Sequence, residues 1–236
     1  MQLTQIKLLT GTLVLQSGLH IGAGDAEMRI GGTDNPVVKN PLDGQPYIPG
    51  SSLKGKIRSL LEWRHGLVAF SNGKPFSFQQ LTGHDTPAAR SLLKLFGGAP
   101  GGEVDKFVRE IGPTRLAFWD CRLNEQWREE KSRARNLLTT EVKSENSINR
   151  ITGVADNPRF TERVIAGSEF DFRLSLKVID GEDLLPMVLQ GLKLLEADSL
   201  GGSGSRGYGK IVLTGLAFDG VSIQESFAAL QPFAAL

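Results

Sequence analysis

Phe170, Phe172, Leu174, Leu176 and Val178 occupy every second position of the segment from Glu169 to Asp180. A β-strand sends alternate residues to one face, so this segment is predicted to be a strand with one side turned to a hydrophobic core. Its neighbours have to come from elsewhere in the chain. Ile6 to Gln16 supplies Thr, Val and Leu in a similar rhythm, with Gly11 suggesting a bulge where the alternation slips. RLAFWDCRL, residues 115–123, and Lys210 to Leu216 have strand composition as well.

Helical spacing appears between these strands. Leu53, Ile57, Leu60 and Leu61 fall at i, i+4, i+7 and i+8 behind Ser51 or Ser52 as N-cap, which predicts a helix to about Arg64 with one buried stripe. A short helix from Pro87 to Phe96 opens with proline and closes at Gly97-Gly98. Asp183 to Glu196, with its clustered leucines, is the last. Reduced to its core the order is β, α, β, β, α, β, an α+β chain on the split βαβ or ferredoxin-like plan, with two helices on one face of a sheet. Insertions at about 17–50, 66–114 and 124–165 decorate a single domain spanning 1–236, and residues 66–86 read as a surface excursion.

Composition narrows the function. The chain has 236 residues, 40% hydrophobic and 22% charged, the profile of an ordinary globular domain, and no apolar run nears the roughly 18 residues of a membrane span. The start, MQLTQIKLLTGTLVLQ, has one lysine and alternates like a strand, so it reads as neither signal nor transit peptide, and the expected location is cytoplasmic. Cys121 is the single cysteine, and His20, His65 and His84 are scattered. Internal disulfides and Cys-based zinc sites are thereby excluded and a His-rich site is not expected, leaving oxygen ligands and a hard ion such as magnesium for any metal. The net charge of +1 hides a split: residues 164–236 hold 5 Lys+Arg against 9 Asp+Glu, or −4, so the first 163 carry +5. Such asymmetry is compatible with an anionic partner.

Two phosphate-loop patterns fail on context. Gly202 to Gly207 spells GxGxxG, yet it follows a helix and enters a strand, the reverse of a dinucleotide fingerprint. Gly50 to Lys56 spells GxxxxGK, but Ile57 stands where a P-loop needs a hydroxyl. The physics of anion binding still applies at both places. Ser51 and Ser52 lie at a helix N-terminus, with Lys54 and Arg58 at i, i+4 on the face away from the leucines, and a phosphate or mere capping and solvation fit equally. Gly55 inside that helix suggests close approach of another backbone. The five glycines of residues 201–209, with Arg206 among them, suit either a tight exit or backbone packed on a sugar-phosphate chain.

GLHIGAGD (18–25), TDNPVVKNPLDGQPYIPGSSLKGKIRSLLE (33–62), KLFG (94–97), ENSINRITGVADNPRFTERVIAGSEFDF (145–172) and LGGSGSRGYGKI (200–211) together resemble the RAMP superfamily. Within it they are most similar to the repeated backbone subunits of type III-A (Csm) CRISPR effector complexes. The resemblance covers nearly the whole chain in order. It implies an RRM-like core, copies of which line a guide RNA in a filament with other subunits, and a thumb hairpin at about 145–165 that enters the guide–target duplex. It also implies cleavage of bound target RNA through an aspartate in the long loop after the first strand, with a divalent cation such as Mg2+. The matching position is Asp34, which on its own reads as a turn residue before Asn-Pro. The same resemblance makes His20, Ser51, Ser52, Lys54, Arg58, Lys143, Asn149, Arg150 and Arg206 candidate RNA contacts, with Glu141 and Asn146 beside the thumb. Trp63, Trp119 and Trp127 read as core or subunit interface. Three other readings stay open: a non-catalytic guide-RNA scaffold, the equivalent type III-B subunit, and a metal-independent guide-processing endoribonuclease using His20.

Overall fold

A computed structural model describes residues 1–24, 35–99, 105–133 and 138–234. The chain order is β1 (Leu3–Leu15), β2 (Tyr47–Ile48), α1 (Gly50–Arg64), α2 (Pro87–Phe96), α3 (Asp105–Ile111), β3 (Leu116–Phe118), β4 (Cys121–Arg122), α4 (Glu125–Arg133), β5 (Thr140–Ile148), β6 (Ala155–Val164), β7 (Glu169–Ile179), α5 (Leu185–Ala197), β8 (Ile211–Phe218), β9 (Val221–Ser222) and α6 (Gln224–Ala229). The main sheet has the order β3-β7-β1-β8-β9, and all its pairs are antiparallel. Without the edge strand β9 this is the ferredoxin-like arrangement that the βαββαβ order predicts.

One core joins Leu9 and Leu13 of β1, Phe170, Phe172 and Leu174 of β7, the Leu53-Ile57-Leu61 stripe of α1 and Leu192 and Leu195 of α5. The two helices touch where α5 has no side chain: a Cβ on Gly191 would stand 2.6 Å from Ile57 Cγ2 and 3.0 Å from Leu61 Cδ1. Gly11 works similarly across the sheet. The register between β1 and β8 shifts at this point, with the extra residue on β8, and a Cβ on Gly11 would lie 2.9 Å from Leu216 Cδ2. The irregularity at Gly11 thus makes room for a bulge on its partner strand.

Three local expectations need correction. The alternation of β7 breaks at its end: Ile179, not Val178, is buried, because β1 shifts register between Leu3 and Gln5. The N-cap of α1 is Pro49, with no side-chain cap; Ser51 and Ser52 lie inside the first turn, and the Gly50 amide donates to Asp120 Oδ1 at 2.8 Å. A Cβ on Gly55 would meet nothing within 4 Å, so space is open beside this position of α1. Residues 66–86 are not a surface excursion, since Leu67, Phe76, Phe78 and Leu81 are buried and two 3₁₀ turns, Val68–Phe70 and Phe78–Thr82, fold them under the core.

Two buried ion pairs brace these layers. The Arg58 guanidinium donates to Glu62 Oε1 at 2.8 Å and to the Phe76 carbonyl, while the Phe76 amide donates back to Glu62 Oε1 at 3.1 Å. Arg115, only 2% exposed, donates to Glu182 Oε1 at 2.6 Å and to the carbonyls of Ile111 and Pro113, and Lys94 reaches the other Glu182 oxygen at 2.9 Å. Burial opposes ionisation of Glu182, but the bonds from Arg115 and Lys94 outweigh it and hold the carboxyl below its ordinary value. A depressed carboxyl stabilises the fold above its unfolded pKa and loses that contribution as pH falls through the folded one. Glu182→Gln leaves Arg115 buried without a counter-charge and should cost about 3–5 kcal/mol at neutral pH. Urea denaturation from neutral pH down through the carboxyl range should show a shallower acid limb in the variant than in the wild type.

Candidate nucleic-acid interface

After β1 the chain runs Gly18, Leu19, His20 between two elements remote in sequence. On one side Leu19 exchanges backbone hydrogen bonds with Val164 at the end of β6, at 3.0 and 2.7 Å. On the other, Gly209 donates to the Gly18 carbonyl and Gly202 to the His20 carbonyl, both at 2.9 Å. Three residues thereby splice the β5–β6 hairpin to the glycine-rich loop between α5 and β8. The splice depends on glycine at two positions. Gly201 has φ +74°, and a Cβ there would strike the His20 carbonyl oxygen; Gly209 has φ +69°, and a Cβ there would strike the Leu200 carbonyl. The loop is therefore packed on this chain's own backbone. The amides of Leu200, Gly202, Arg206, Gly207, Tyr208 and Gly209 donate to carbonyls of this chain, so these six are already engaged.

The base of the hairpin is a second junction. His20, half-buried, places Nδ1 2.7 Å from the Glu162 carbonyl oxygen. The Glu162 amide donates to the Asn35 carbonyl at 3.1 Å, and the buried Glu162 carboxylate accepts from the Val37 amide at 3.0 Å and from Lys39 Nζ at 2.6 Å. Asn35 also bridges Thr161 of β6 in parallel register. Burial opposes ionisation of Glu162, yet Lys39, the Val37 amide and Thr140 outweigh it and keep the carboxyl below its usual range. Asp34 lies outside the described residues. Asn35, joined to it by a peptide bond, is fastened to β6 next to His20.

Above the splice sits a charged cluster around one tyrosine. Tyr208 is fully buried, and its hydroxyl donates to Glu145 Oε1 at 3.0 Å. Arg206 donates to Glu145 Oε2 at 3.0 Å, and Lys143 Nζ stands 3.2 Å from Oε1. Lys143 and Arg163 lie over the ring at 4.5 and 5.0 Å, and Arg163 also pairs with Glu141 at 2.8 Å. Burial and the Glu145 charge push the Tyr208 hydroxyl up. Glu145 is shifted down, since bonds from Lys143 and Tyr208 and the charge of Arg206 exceed the desolvation cost.

The sequence candidates separate into groups. Arg206 and Lys143 come together on Glu145, with His20 on the spliced segment that the loop covers. Asn149 and Arg150 are at the hairpin's far tip. There the Asn149 side-chain oxygen accepts from the amides of Ile151 and Thr152, at 2.9 and 3.1 Å, and Arg150 donates to the Ile148 carbonyl at 2.9 Å. The tip exposes apolar side chains: Ile148, Val154 and Ile151, the last 95% exposed. The hairpin itself starts at Thr140, earlier than the expected 145, so Glu141 and Lys143 belong to it. Ser51, Ser52 and Lys54 lie on α1, where the helix end is already occupied by the Asp120 carboxylate. Arg58 is turned inward to Glu62 and Phe76 and is not on a solvent face. Lys56, not singled out in the sequence, pairs with Asp198 at 2.7 Å and so faces the start of the glycine loop. Glu145, Tyr208 and Glu162 were missed as well; a tyrosine inside a glycine run beside an arginine was the one signal available. Trp63 and Trp119 are exposed and only Trp127 is in the core. Among the described residues no three His, Cys, Asp or Glu side chains converge as metal ligands, and no helix is long and apolar enough to cross a membrane.

The family model of the RAMP superfamily matches residues 12–212. The Csm3 endoribonuclease of Methanothermobacter thermautotrophicus is 40% identical over 220 residues, covering 86% of this chain and 82% of that protein. The chain belongs to the RAMP superfamily, in its Csm3 family. Among solved structures, the crystal structure of the Csm3–Csm4 subcomplex of the type III-A CRISPR-Cas interference complex is similar, with TM-score 0.55 and 28% identity over 92% of this chain and 80% of that one. Methanopyrus kandleri Csm3 shares the fold, with TM-score 0.58 and 23% identity over 92% of this chain and 78% of that one. In this RAMP domain backbone hydrogen bonds join the hairpin, the spliced segment and the glycine loop, and the Glu162 carboxylate ties Val37 and Lys39 to the hairpin base. Glu162→Gln removes the charge that holds Lys39 and weakens the acceptor for the Val37 amide, a loss of about 1–3 kcal/mol. Hydrogen exchange should speed up at the Val37 amide and at Leu19–Val164 while β7 and α5 stay protected.

Proposed function

We propose that this chain is a guide-RNA-binding backbone subunit of a type III-A CRISPR effector complex and that it cleaves bound target RNA through Asp34. It works in the cytoplasm beside further copies of itself and other subunits. The observation that carries the reading is the anchoring of Asn35 on Glu162 and Thr161, next to His20. A loop fixed at the residue following Asp34 can present a carboxylate repeatedly to a strand lying along the hairpin base, and positioned geometry is the first requirement of general acid–base chemistry. The Csm3 relatives are named endoribonucleases, and the similar subcomplex belongs to a type III-A assembly. The RNA-facing set in this reading is Lys143, Arg206 and His20 at the splice, Ser51, Ser52 and Lys54 on α1, and Asn149 and Arg150 at the tip. Arg58 leaves it because its guanidinium is committed to the core.

A divalent cation, Mg2+ in the simplest case, is part of the proposal on the strength of the family resemblance. The described residues do not supply a cage for it: Glu162 and Glu145 are held by cations of the protein, and no ligand trio converges among those residues.

The test is the assembled complex. Asp34→Ala should bind guide RNA as the wild type does and lose about 10²- to 10⁴-fold in target-cleavage rate. Undiminished cleavage would remove Asp34 from the reaction, and loss of cleavage on adding a chelator, with guide binding intact, separates a metal-dependent reaction from a histidine-driven one. Lys54, with no ion pair among the described residues, serves the binding half of the proposal. Lys54→Ala should weaken RNA binding and reduce the slope of log K against log salt by about 0.7.

A further inference from the structure

We propose that Arg206, Lys143 and the Tyr208 hydroxyl form a subsite for one backbone phosphate of RNA, and that Glu145 fills this subsite as an internal anion until RNA displaces it. The inference rests on the RNA-binding reading above and adds to it a competitor built into the protein.

The donors surround Glu145 as they would surround a phosphate. One carboxylate oxygen receives the Tyr208 hydroxyl at 3.0 Å and faces Lys143 at 3.2 Å; the other receives Arg206 at 3.0 Å. A guanidinium, an ammonium and a hydroxyl converging on two oxygens is a set that a phosphate satisfies at least as well as a carboxylate. The receiving side is fixed. Tyr208 is buried and wedged against Lys143 and Arg163, and it sits between Gly207 and Gly209 in the loop spliced to residues 18–20.

The carboxylate, by contrast, stands where a strand can yield. The hairpin register shifts between Glu145 and Ser147, with the extra residue on β6 between Asp156 and Arg159, so the ladder is interrupted directly beside Glu145 and its side chain can be re-aimed without breaking the pairs on either side. Beside it opens a pocket of about 370 Å³ lined by Glu145, Asn146, Ser147, Asn157, Arg159 and Arg206. Arg206 is 54% exposed toward solvent, and Arg159 has no ion pair among the described residues. Space and spare positive charge for a nucleotide therefore lie next to the paired carboxylate. A single small anion gains too little to expel Glu145. A strand already gripped at neighbouring phosphates meets Glu145 at high local concentration and can displace it. The device favours a long polyanion over isolated anions.

The experiment measures binding of the full chain to a labelled single-stranded RNA of arbitrary sequence, by fluorescence anisotropy at several salt concentrations. Glu145→Gln keeps an acceptor for the Tyr208 hydroxyl but removes the competing charge, and it should bind roughly three- to tenfold tighter than wild type, the size that release of two part-exposed ion pairs supports. Arg206→Ala should bind more weakly, and in the Glu145→Gln/Arg206→Ala double variant most of the gain should vanish. Equal or weaker binding by Glu145→Gln, with Arg206→Ala weakened, overturns the placeholder and leaves Glu145 as a support for Arg206. A gain that persists in full without Arg206 overturns it too, since the charge then acts at long range. Unchanged binding by Arg206→Ala overturns the RNA-binding reading of this face and the subsite with it. Thermal melts establish that each variant is folded, and Glu145→Ser removes the same charge by a different side chain if Glu145→Gln is unstable.

Discussion

Two backbones approach at Gly201 and Gly209 more closely than any side chain permits, and the functional half of the molecule is arranged around that contact. With the loop pressed onto Gly18–His20, the amides of Leu200, Gly202, Arg206, Gly207, Tyr208 and Gly209 are taken up by carbonyls of this chain, Tyr208 is driven inside, and Arg206 is left at the surface. The other edge of the same three residues carries Val164 and so fixes the hairpin. Glu162, two residues earlier on β6, then holds residues 35–39. Four segments spread along the chain between Gly18 and Gly209 thus meet around one steric condition. The condition is glycine's: only a residue without Cβ tolerates both the positive φ and the contact.

The cations of the chain divide by what surrounds them. Arg58 and Arg115 are sunk against Glu62 and Glu182, where each guanidinium also satisfies backbone carbonyls, and such pairs organise the interior. Lys54 and Arg159 have no ion pair among the described residues, while Arg206 and Lys143 share a carboxylate near the surface. The net charge of +1 therefore says little about the potential a ligand meets. A buried pair contributes nothing to an approaching polyanion, whereas an exposed one can exchange its partner.

The elements were legible because their periodicities are local. The alternating residues of β7 and the leucine stripe of α1 state which face is apolar, and the order of elements then leaves the ferredoxin-like arrangement as the natural one. Legibility faded where a residue's environment comes from far along the chain. Arg58 looked like a solvent cation because its i, i+4 position off the leucine stripe gives an angle around the helix and says nothing of Phe76 folding over it. The 66–86 segment looked like surface because its apolar residues lack a period. The RNA-facing residues came from family resemblance, and Asp34 in particular has no local pattern that separates it from a turn aspartate.

By itself the sequence determined the strands and helices, their order, and the absence of disulfide or thiol-rich metal chemistry, since these follow from side-chain type and spacing along a few turns. Tertiary structure alone decided that the glycine run lies against its own chain, that Glu145 sits among Arg206, Lys143 and Tyr208, and that Arg58 is unavailable to a ligand. Hydrogen bonding and burial depend on which distant segment arrives at a surface. No spacing within a segment encodes the neighbour that covers it.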